Sequence, residues 1–239
     1  MASPSGAKLY REALRPFLRS EEGARVEQMR QQLIRDRRRI LRQDFGAGSL
    51  NQGADTQPVS VASLARRASS PRRKGERLLH LARYLRPRQA LELGSHLGLS
   101  AAYLKLGHPA MALISIEGDP ALGALAKEHW QQLDLGIDLR VGRFEEMLPQ
   151  LPWTDFQPEL VFLDGNHRYA PTLDYFAHLA PQVPVGGVIV LDDIHWSPEM
   201  DQAWEEVRHR PEVSLSLDLW QLGVLQLGHG PSPQHYTLW

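Results

Sequence analysis

One short segment constrains the fold of this chain more than any other feature. It is apolar, ends on an acidic residue, and runs through two glycines into a helical pattern. It spans residues 89–103. Its acid is Glu92, and its glycines are Gly94 and Gly98. A second apolar segment follows and ends on Glu117. A Rossmann-like sheet begins in this order, so the chain is predicted to bind a ligand at the carboxyl edge of such a sheet.

The spacing of the glycines selects among nucleotide-like ligands. The pattern is Gly-x-x-x-Gly, without the Gly-x-Gly-x-x-Gly that brings a pyrophosphate onto a helix N-terminus. A glycine lets the backbone approach a ligand closely, so Gly94 is expected to leave space for it. An acid such as Glu117 can accept hydrogen bonds from both hydroxyls of a ribose. A cofactor with a ribose and no diphosphate is favoured, and S-adenosylmethionine (SAM) has this structure.

Composition and length limit the class of protein. At 239 residues, with 42% hydrophobic and 23% charged residues, the chain is long enough for one large domain and an appendage. It contains no cysteine, which excludes disulfides, thiolate zinc sites and a cysteine nucleophile. No apolar run reaches the roughly 18 residues needed to cross a bilayer, and the first residues lack the apolar core of a secretory signal. We expect a cytoplasmic protein with no membrane association.

The net charge of −1 hides two regions of opposite charge. Residues 1–75 carry 16 Lys and Arg against 7 Asp and Glu, a charge of +9, and the remainder carries 11 against 21, a charge of −10. One interpretation is a helical extension that packs on an acidic domain, and the other is a surface for nucleic acid. No aromatic residues alternate with the arginines, which favours the first. We expect a basic helical extension or lid at 1–75 and the main domain at 76–239.

The extension is predicted to be helical because apolar residues recur in it at helical spacing. The predicted elements are helices within 8–42, broken near 20–23, a loop at 43–61, and short helices at 61–68 and 74–84. The loop contains the glycine-rich stretch Asp44–Ser49, which looks like a cofactor loop. The residues before it are too basic for a buried strand, and no helical pattern follows it. It is therefore predicted to be a turn.

From residue 89 onward strands and helices alternate, which predicts an α/β fold with helices on both faces of a parallel sheet. The predicted strands lie near 89–93, 112–117, 138–141, 159–163, 187–192, 213–218 and 223–227. The last two are joined by too few residues for a parallel crossover, so they must form an antiparallel hairpin. The prediction is a Rossmann-like seven-stranded sheet, mostly parallel, with one antiparallel strand in an edge hairpin.

Five segments between residues 88 and 196 carry a further pattern. They lie at 91–100, 114–120, 141–151, 160–169 and 190–195. In this order and spacing they resemble the catechol O-methyltransferase group of class I SAM-dependent methyltransferases. The fourth segment, with its Asp-Gly-x-His-x-Tyr motif starting at Asp164, is similar to a bacterial subset of that group. The resemblance implies an enzyme that transfers a methyl group from SAM, whereas the acceptor is not fixed by the fold.

The resemblance also implies which residues bind the cofactor. Glu92 and Gly94 would line its methionine end, and Ser100, which opens the next helix, would bind its carboxylate. Glu117 would bind the ribose hydroxyls. Arg143 and Phe144, just after the third strand, would lie at the adenine, with core packing as the other role open to Phe144.

Members of this group use a divalent cation to acidify and orient an acceptor hydroxyl. The matching ligands here are Asp164, Asp192 and Asp193, and oxygen ligands suit magnesium, calcium or manganese. The general base of the relatives is a lysine, and this chain has His167 at that position, a chemically suitable base. Two alternatives stay open. His195 could complete a mixed nitrogen–oxygen site, or His167 could act without metal while Asp193 pairs with a basic residue.

Three functions follow from these motifs. The first is O-methylation of a small-molecule acceptor that carries hydroxyl groups, with or without a divalent cation such as Mg²⁺. The second is a nucleic-acid-directed methyltransferase that uses the basic N-terminal region. The third is a binding module that has lost catalysis, against which the acids at 92, 117, 164, 192 and 193 argue. The oligomeric state, including a homo-oligomer, is left open.

Overall fold

The computed structural model of the chain describes residues 6–14, 19–42, 58–67, 71–228 and 233–238. The glycine-rich stretch Asp44–Ser49 lies outside these residues, so its prediction as a turn is untested.

Short helices and a two-stranded ladder form the N-terminal region. They are α1 (Gly6–Leu9), continued by a π-helical turn at Tyr10–Leu14, α2 (Glu21–Arg35), β1 (Arg39–Ile40), β2 (Val59–Ser60) and α3 (Val61–Arg67). Helix α2 begins where the Ser20 hydroxyl accepts the Gly23 N–H at 2.8 Å, an N-cap that satisfies a free donor. It ends earlier than the predicted residue 42, because Asp36 is extended and β1 then pairs antiparallel with β2.

Strands and helices alternate through the rest of the chain. They are α4 (Arg72–Leu85), β3 (Gln89–Leu93), α5 (Leu99–Gly107), β4 (Ala112–Glu117), α6 (Pro120–Gln132), β5 (Ile137–Val141), α7 (Phe144–Met147), β6 (Leu160–Leu163), α8 (Tyr169–Leu179), β7 (Val188–Asp192), α9 (Pro198–Arg208), β8 (Val213–Asp218), β9 (Leu222–Leu227) and β10 (Gln234–Thr237). The α/β architecture predicted from the alternating pattern is confirmed.

The main sheet has the strand order β10-β8-β9-β7-β6-β3-β4-β5. Strand β9 lies antiparallel between β7 and β8, and the other neighbouring pairs are parallel. The hairpin of 213–227 with a reversed second strand is thus confirmed. The predicted count of seven strands is one too low, because β10 pairs with β8 and displaces the hairpin from the edge. Strand β10 is largely exposed, so it carries no apolar pattern that the sequence could reveal.

The central strands are buried on both faces of the sheet. In β6, Leu160 and Phe162 belong to an apolar cluster shared with α2 to α6, whereas Val161 and Leu163 belong to a second cluster shared with α8 and α9. Successive side chains of a strand point to opposite faces, which explains why these strands are continuous apolar runs. Within the described residues, no helix combines the length and apolarity needed to cross a membrane.

Arginines of the N-terminal region contact the sheet domain directly. Arg38 forms a 2.7 Å ion pair with Glu128, Arg25 donates to the Leu133 carbonyl at 3.0 Å, and Arg42 lies 3.7 Å from Asp119. These contacts match the first interpretation of the basic region, a helical extension packed on an acidic domain. The boundary after residue 75 stays a prediction, and that position lies within α4.

Candidate active site

Four of the six non-glycine residues that the structure describes with a left-handed backbone conformation lie at the carboxyl edge of the sheet. His96 follows β3, Asn166 follows β6, Asp193 follows β7 and Trp220 follows β8, with φ values of 48°, 49°, 49° and 68°. For residues other than glycine this conformation costs about 1–3 kcal/mol each, and such strain gathers at functional sites. The carboxyl edge is therefore the candidate active site, as the strand-end acids predict.

Glu92 is fully buried at the end of β3. Its Oε2 accepts a hydrogen bond from the Ser115 hydroxyl, which in turn lies 2.6 Å from the Ser95 hydroxyl. Burial raises the pKa of Glu92 to about 8, although the hydroxyls of Ser100 and Ser115 oppose the shift. Its Oε1 has no hydrogen-bond partner among the residues that the structure describes. A buried acceptor without a donor is costly, so Glu92 fits a ligand that brings an N–H group to it.

Gly94 has a φ of 96°, which disfavours any other residue. A Cβ built at this position would lie 1.9 Å from the backbone oxygen of Asp164. Glycine at this position therefore allows the ends of β3 and β6 to approach each other. The expectation that it also leaves space for the ligand stays a prediction.

Glu117 joins the loops that follow β3 and β4. Its Oε2 accepts the His96 N–H at 2.6 Å, and its Oε1 accepts the Asp119 N–H at 2.9 Å. Burial raises the pKa of Glu117 despite these two hydrogen bonds. Each carboxylate oxygen can accept a second hydrogen bond, so the side chain keeps the capacity to bind two hydroxyls.

The residues expected at the two ends of the cofactor occupy different environments. Ser100 is buried in the first turn of α5, close enough to Glu92 for its hydroxyl to lower the pKa of that carboxyl. Arg143 is exposed and lies 3.8 Å from Glu145. Phe144 packs edge-on against Tyr175 at a centroid distance of 5.6 Å. Its ring also lies 2.6 Å from a Cβ built at Gly165, so core packing, the other role open to Phe144, accounts for part of its environment.

Two of the three carboxylates predicted to bind a metal, Asp192 and Asp193, contact a lysine instead. The Lys74 ammonium, on α4, lies 2.7 and 2.5 Å from the two oxygens of Asp192 and 3.4 Å from Asp193 Oδ1. The described part of the chain contains no group of three or more His, Asp or Glu side chains arranged to hold a metal ion. Asp164, Asp192 and Asp193 therefore do not fit a divalent cation while Lys74 lies among them.

The charged groups of this cluster shift one another's pKa values. Burial opposes the charge of Lys74, but the carboxylates of Asp192, Asp164 and Asp193 outweigh it and raise the pKa of Lys74. Burial and the charge of Asp164 raise the pKa of Asp192 well above its ordinary value, although Lys74 opposes this. Like charges held close together in a buried site cannot all ionise freely, which explains the shift of Asp192.

His167 and Asp164 form a pair at the end of β6. His167 Nε2 lies 3.4 Å from Asp164 Oδ1, and both side chains are partly buried. Burial would raise the pKa of Asp164, but the bond from His167 and the charge of Lys74 hold it below the ordinary value. Burial would lower the pKa of His167, but Asp164 raises it. A carboxylate on Nε2 orients the imidazole and leaves Nδ1 as the ring atom that can accept a proton.

His195 belongs to a separate network. Its Nδ1 lies 2.5 Å from Asp201, its Nε2 lies 2.9 Å from Asp218, and Trp204 Nε1 donates to the same Asp218 at 3.2 Å. Both ring nitrogens are thus engaged. The mixed nitrogen–oxygen metal site that would include His195 does not form in the part of the chain that the structure describes.

Lys74 is the site residue that the sequence motifs miss. It lies on α4 in register with the buried Leu78 and Leu81, at i, i+4 and i+7. A charged residue on the apolar stripe of a helix is the signal that could have found it, because a buried lysine requires an acidic partner.

Comparisons with known proteins agree with this geometry. A family model described as a methyltransferase domain matches residues 91–194. A search of curated proteins gave no match. Among solved structures, the chain is similar to the SAM-bound O-methyltransferase TomG of Streptomyces achromogenes, which is involved in tomaymycin synthesis (22% identity, TM-score 0.57, 68% of this chain and 82% of that chain).

Two further structures are similar over more of the chain. One is an O-methyltransferase of Bacillus cereus in complex with SAH (16% identity, TM-score 0.61, 88% of this chain and 92% of that chain). The other is an SAH-bound methyltransferase of Podospora anserina (16% identity, TM-score 0.59, 89% of this chain and 99% of that chain). At these identities the likeness concerns the fold. Together with the family match, it agrees with the resemblance of the sequence motifs: residues 91–194 match a methyltransferase domain, and the chain shares the fold of these SAM- and SAH-bound methyltransferases.

Proposed function

We propose that the chain methylates an oxygen atom of a small hydroxylated acceptor, using SAM as methyl donor and His167 as general base. The observation that carries this proposal is the Asp164–His167 pair at the same sheet edge as Glu92 and Glu117. When bound, SAM supplies a sulfonium methyl group whose carbon–sulfur bond breaks as the acceptor oxygen forms its bond to carbon. The acceptor proton passes to His167 Nδ1.

The cofactor residues follow from the strand ends. Glu92 Oε1 is a buried acceptor that an ammonium group at the methionine end would satisfy. Ser100 and Gly94 would line the same end of the cofactor. Glu117 would bind the ribose hydroxyls, and Arg143 and Phe144 would flank the adenine. No step of this proposal uses a divalent cation, because Lys74 lies within 2.5 Å of Asp192.

We propose that the methyl acceptor is a small molecule and that the protein acts in the cytoplasm. Arginines of the basic region bind groups of this chain: Arg38 binds Asp36 and Glu128, and Arg30 binds Glu27. Charges paired in this way contribute little to a nucleic-acid surface, whose affinity depends on contacts to phosphates. We therefore favour a small-molecule acceptor over nucleic acid. A homo-oligomer is compatible with either.

The test of this function is methyl transfer itself. We expect the purified protein to convert isotopically labelled SAM to SAH and to label an oxygen of an acceptor in a panel of phenols, sugars and other hydroxylated small molecules. Mass spectrometry of both products measures it. Labelling of RNA or DNA in the same assay would favour the nucleic-acid alternative, and SAM binding without turnover over the panel would favour the binding module.

Glu117→Gln is expected to weaken SAM binding. The amide keeps the size of the side chain but removes its charge and one acceptor, so we expect a loss of about 1.5–3 kcal/mol, or about 10- to 150-fold in Kd. Isothermal titration calorimetry measures the affinity. Glu159→Gln is the matched control, because Glu159 also accepts a backbone N–H, from Arg88 at 2.5 Å, at the opposite edge of the sheet. Equal affinities for the two variants would remove Glu117 from the ribose site.

A further inference from the structure

The position of Lys74 relative to the three aspartates is unusual for a lysine. Its side chain is 4% exposed, and it reaches Asp192, 118 residues away in sequence, with contacts to both carboxylate oxygens. A lysine ammonium has three N–H groups and no acceptor. Two of these N–H groups can donate to the oxygens of Asp192. A further acceptor, for the third, is Asp193 Oδ1, at 3.4 Å. Within the described part of the chain, the ammonium is therefore held by two carboxylates of the strand-end cluster, Asp192 and Asp193.

A divalent cation would need the same oxygens. Hard cations bind carboxylate oxygens at about 2.0–2.6 Å, in the space that the Lys74 ammonium occupies beside Asp192. Two positive charges do not share one carboxylate at such distances without strong repulsion. Metal binding would thus require Lys74 to leave.

The helix that carries Lys74 is fixed on both sides of it. Gly75 lies so close to Tyr103 that a Cβ there would be 2.2 Å from the ring. The Glu76 carboxylate accepts the Ser20 hydroxyl at 2.8 Å and the Arg72 guanidinium at 3.1 Å. Helix α4 therefore cannot withdraw without breaking contacts with α5 and with the cap of α2, so the backbone that carries Lys74 stays beside the cluster.

We propose that Lys74 is a positioning residue that takes the place of a divalent metal, holds Asp192 and Asp193 at the carboxyl edge and makes the site independent of metal. The exclusion of cations by Lys74 depends on the geometry of the cluster alone. The consequence of that exclusion for catalysis rests on the proposed function. The acceptor hydroxyl is then oriented and deprotonated at His167, without chelation by a cation.

Binding of Mn²⁺, followed by electron paramagnetic resonance and calorimetry, tests the proposal without an acceptor. The wild-type protein is expected to show no Mn²⁺ site tighter than about 1 mM, the weak end of protein sites for hard cations. Lys74→Ala frees the three carboxylates and is expected to gain one Mn²⁺ site at least about tenfold tighter. Lys74→Arg keeps the charge and should gain none. Adding Asp192→Asn to Lys74→Ala should abolish the gained site.

Lys105→Ala is the matched control, because Lys105, on α5, donates to the Met111 carbonyl and not to the aspartates. It should gain no Mn²⁺ site. A Lys74→Ala protein of low stability should show a higher Tm with Mn²⁺ than without it. If Lys74→Ala does not fold with or without Mn²⁺, the Mn²⁺ titrations of the wild-type and Lys74→Arg proteins test the proposal. A wild-type Mn²⁺ site that Asp192→Asn removes would overturn the proposal, and so would a folded Lys74→Ala variant that gains no site.

An activity measurement separates this inference from the proposed function. Methyl transfer by the wild-type protein is expected to keep its rate in EDTA. Loss of that rate, with recovery in Mg²⁺ or Mn²⁺, would overturn metal independence while supporting methyl transfer. Failure to methylate any acceptor would count against the proposed function and leave the Mn²⁺ results on Lys74 unchanged.

Discussion

His167→Ala is expected to lower the rate of methyl transfer by about 10²- to 10⁴-fold, the usual contribution of a general base. In the proposed mechanism, Asp164 binds Nε2 and orients the ring, so that Nδ1 accepts the acceptor proton as the carbon–oxygen bond forms. Alanine removes the base and leaves the cofactor residues intact. The loss should therefore appear in kcat, with SAM affinity close to that of the wild type.

Steady-state kinetics with the acceptor found in the panel, together with calorimetry for SAM, measures both quantities. His209→Ala is the control, because His209 lies half-exposed at the end of α9 and contacts Glu205. Its rate should match that of the wild type. A loss below tenfold in His167→Ala would mean that another group is the general base. Asp193 would be the first candidate, because it is the most exposed carboxylate of the cluster.

The positions of the strands along the chain are the part of the fold that local patterns predict well. Each of β3, β4, β6 and β7 is a buried apolar run, and the residue after the run or at its end is an acid or a glycine. Parallel strands bring their carboxyl ends to one edge, so Glu92, Glu117, Asp164 and Asp192 could be placed together from sequence alone.

What the acids contact could not be predicted in the same way. The partner of Asp192 lies 118 residues earlier in the chain, in the first turn of a helix whose start charge counting assigned to the basic extension. The boundary predicted after residue 75 even separates Lys74 from the carboxylates that it binds. Charge along the sequence does not distinguish an exposed lysine from a buried one, because burial depends on how α4 packs against the sheet.

The same limit explains the other differences. Strand β10 is short and exposed, so its pairing with β8 leaves no periodic signal in the sequence. The sequence pattern predicts a glycine at position 94, but not its contact with the loop after β6. The nearest atom to an added methyl group belongs to Asp164, which follows a different strand.

Gly94→Ala is expected to destabilise the protein by about 2–6 kcal/mol, which is a large share of the about 5–15 kcal/mol of a typical domain. Part of the cost, about 1–3 kcal/mol, comes from placing a side chain at a φ of 96°. The rest, about 1–3 kcal/mol, comes from a methyl group 1.9 Å from the Asp164 oxygen, because the loop after β6 must move to admit it. That movement also displaces Asp164, so SAM binding and methyl transfer should fall with stability.

Urea unfolding followed by circular dichroism measures the loss, and Gly136→Ala is the matched control. Gly136 is exposed in the loop before β5, and a Cβ there meets no atom within 4 Å, so its free energy of unfolding should change by less than about 0.5 kcal/mol. A Gly94→Ala protein that does not accumulate in folded form agrees with the prediction. A Gly94→Ala protein as stable as Gly136→Ala would mean that the ends of β3 and β6 are not held in close contact. The arrangement of Asp164 and His167 beside Glu92, on which the proposed mechanism depends, would then need another cause.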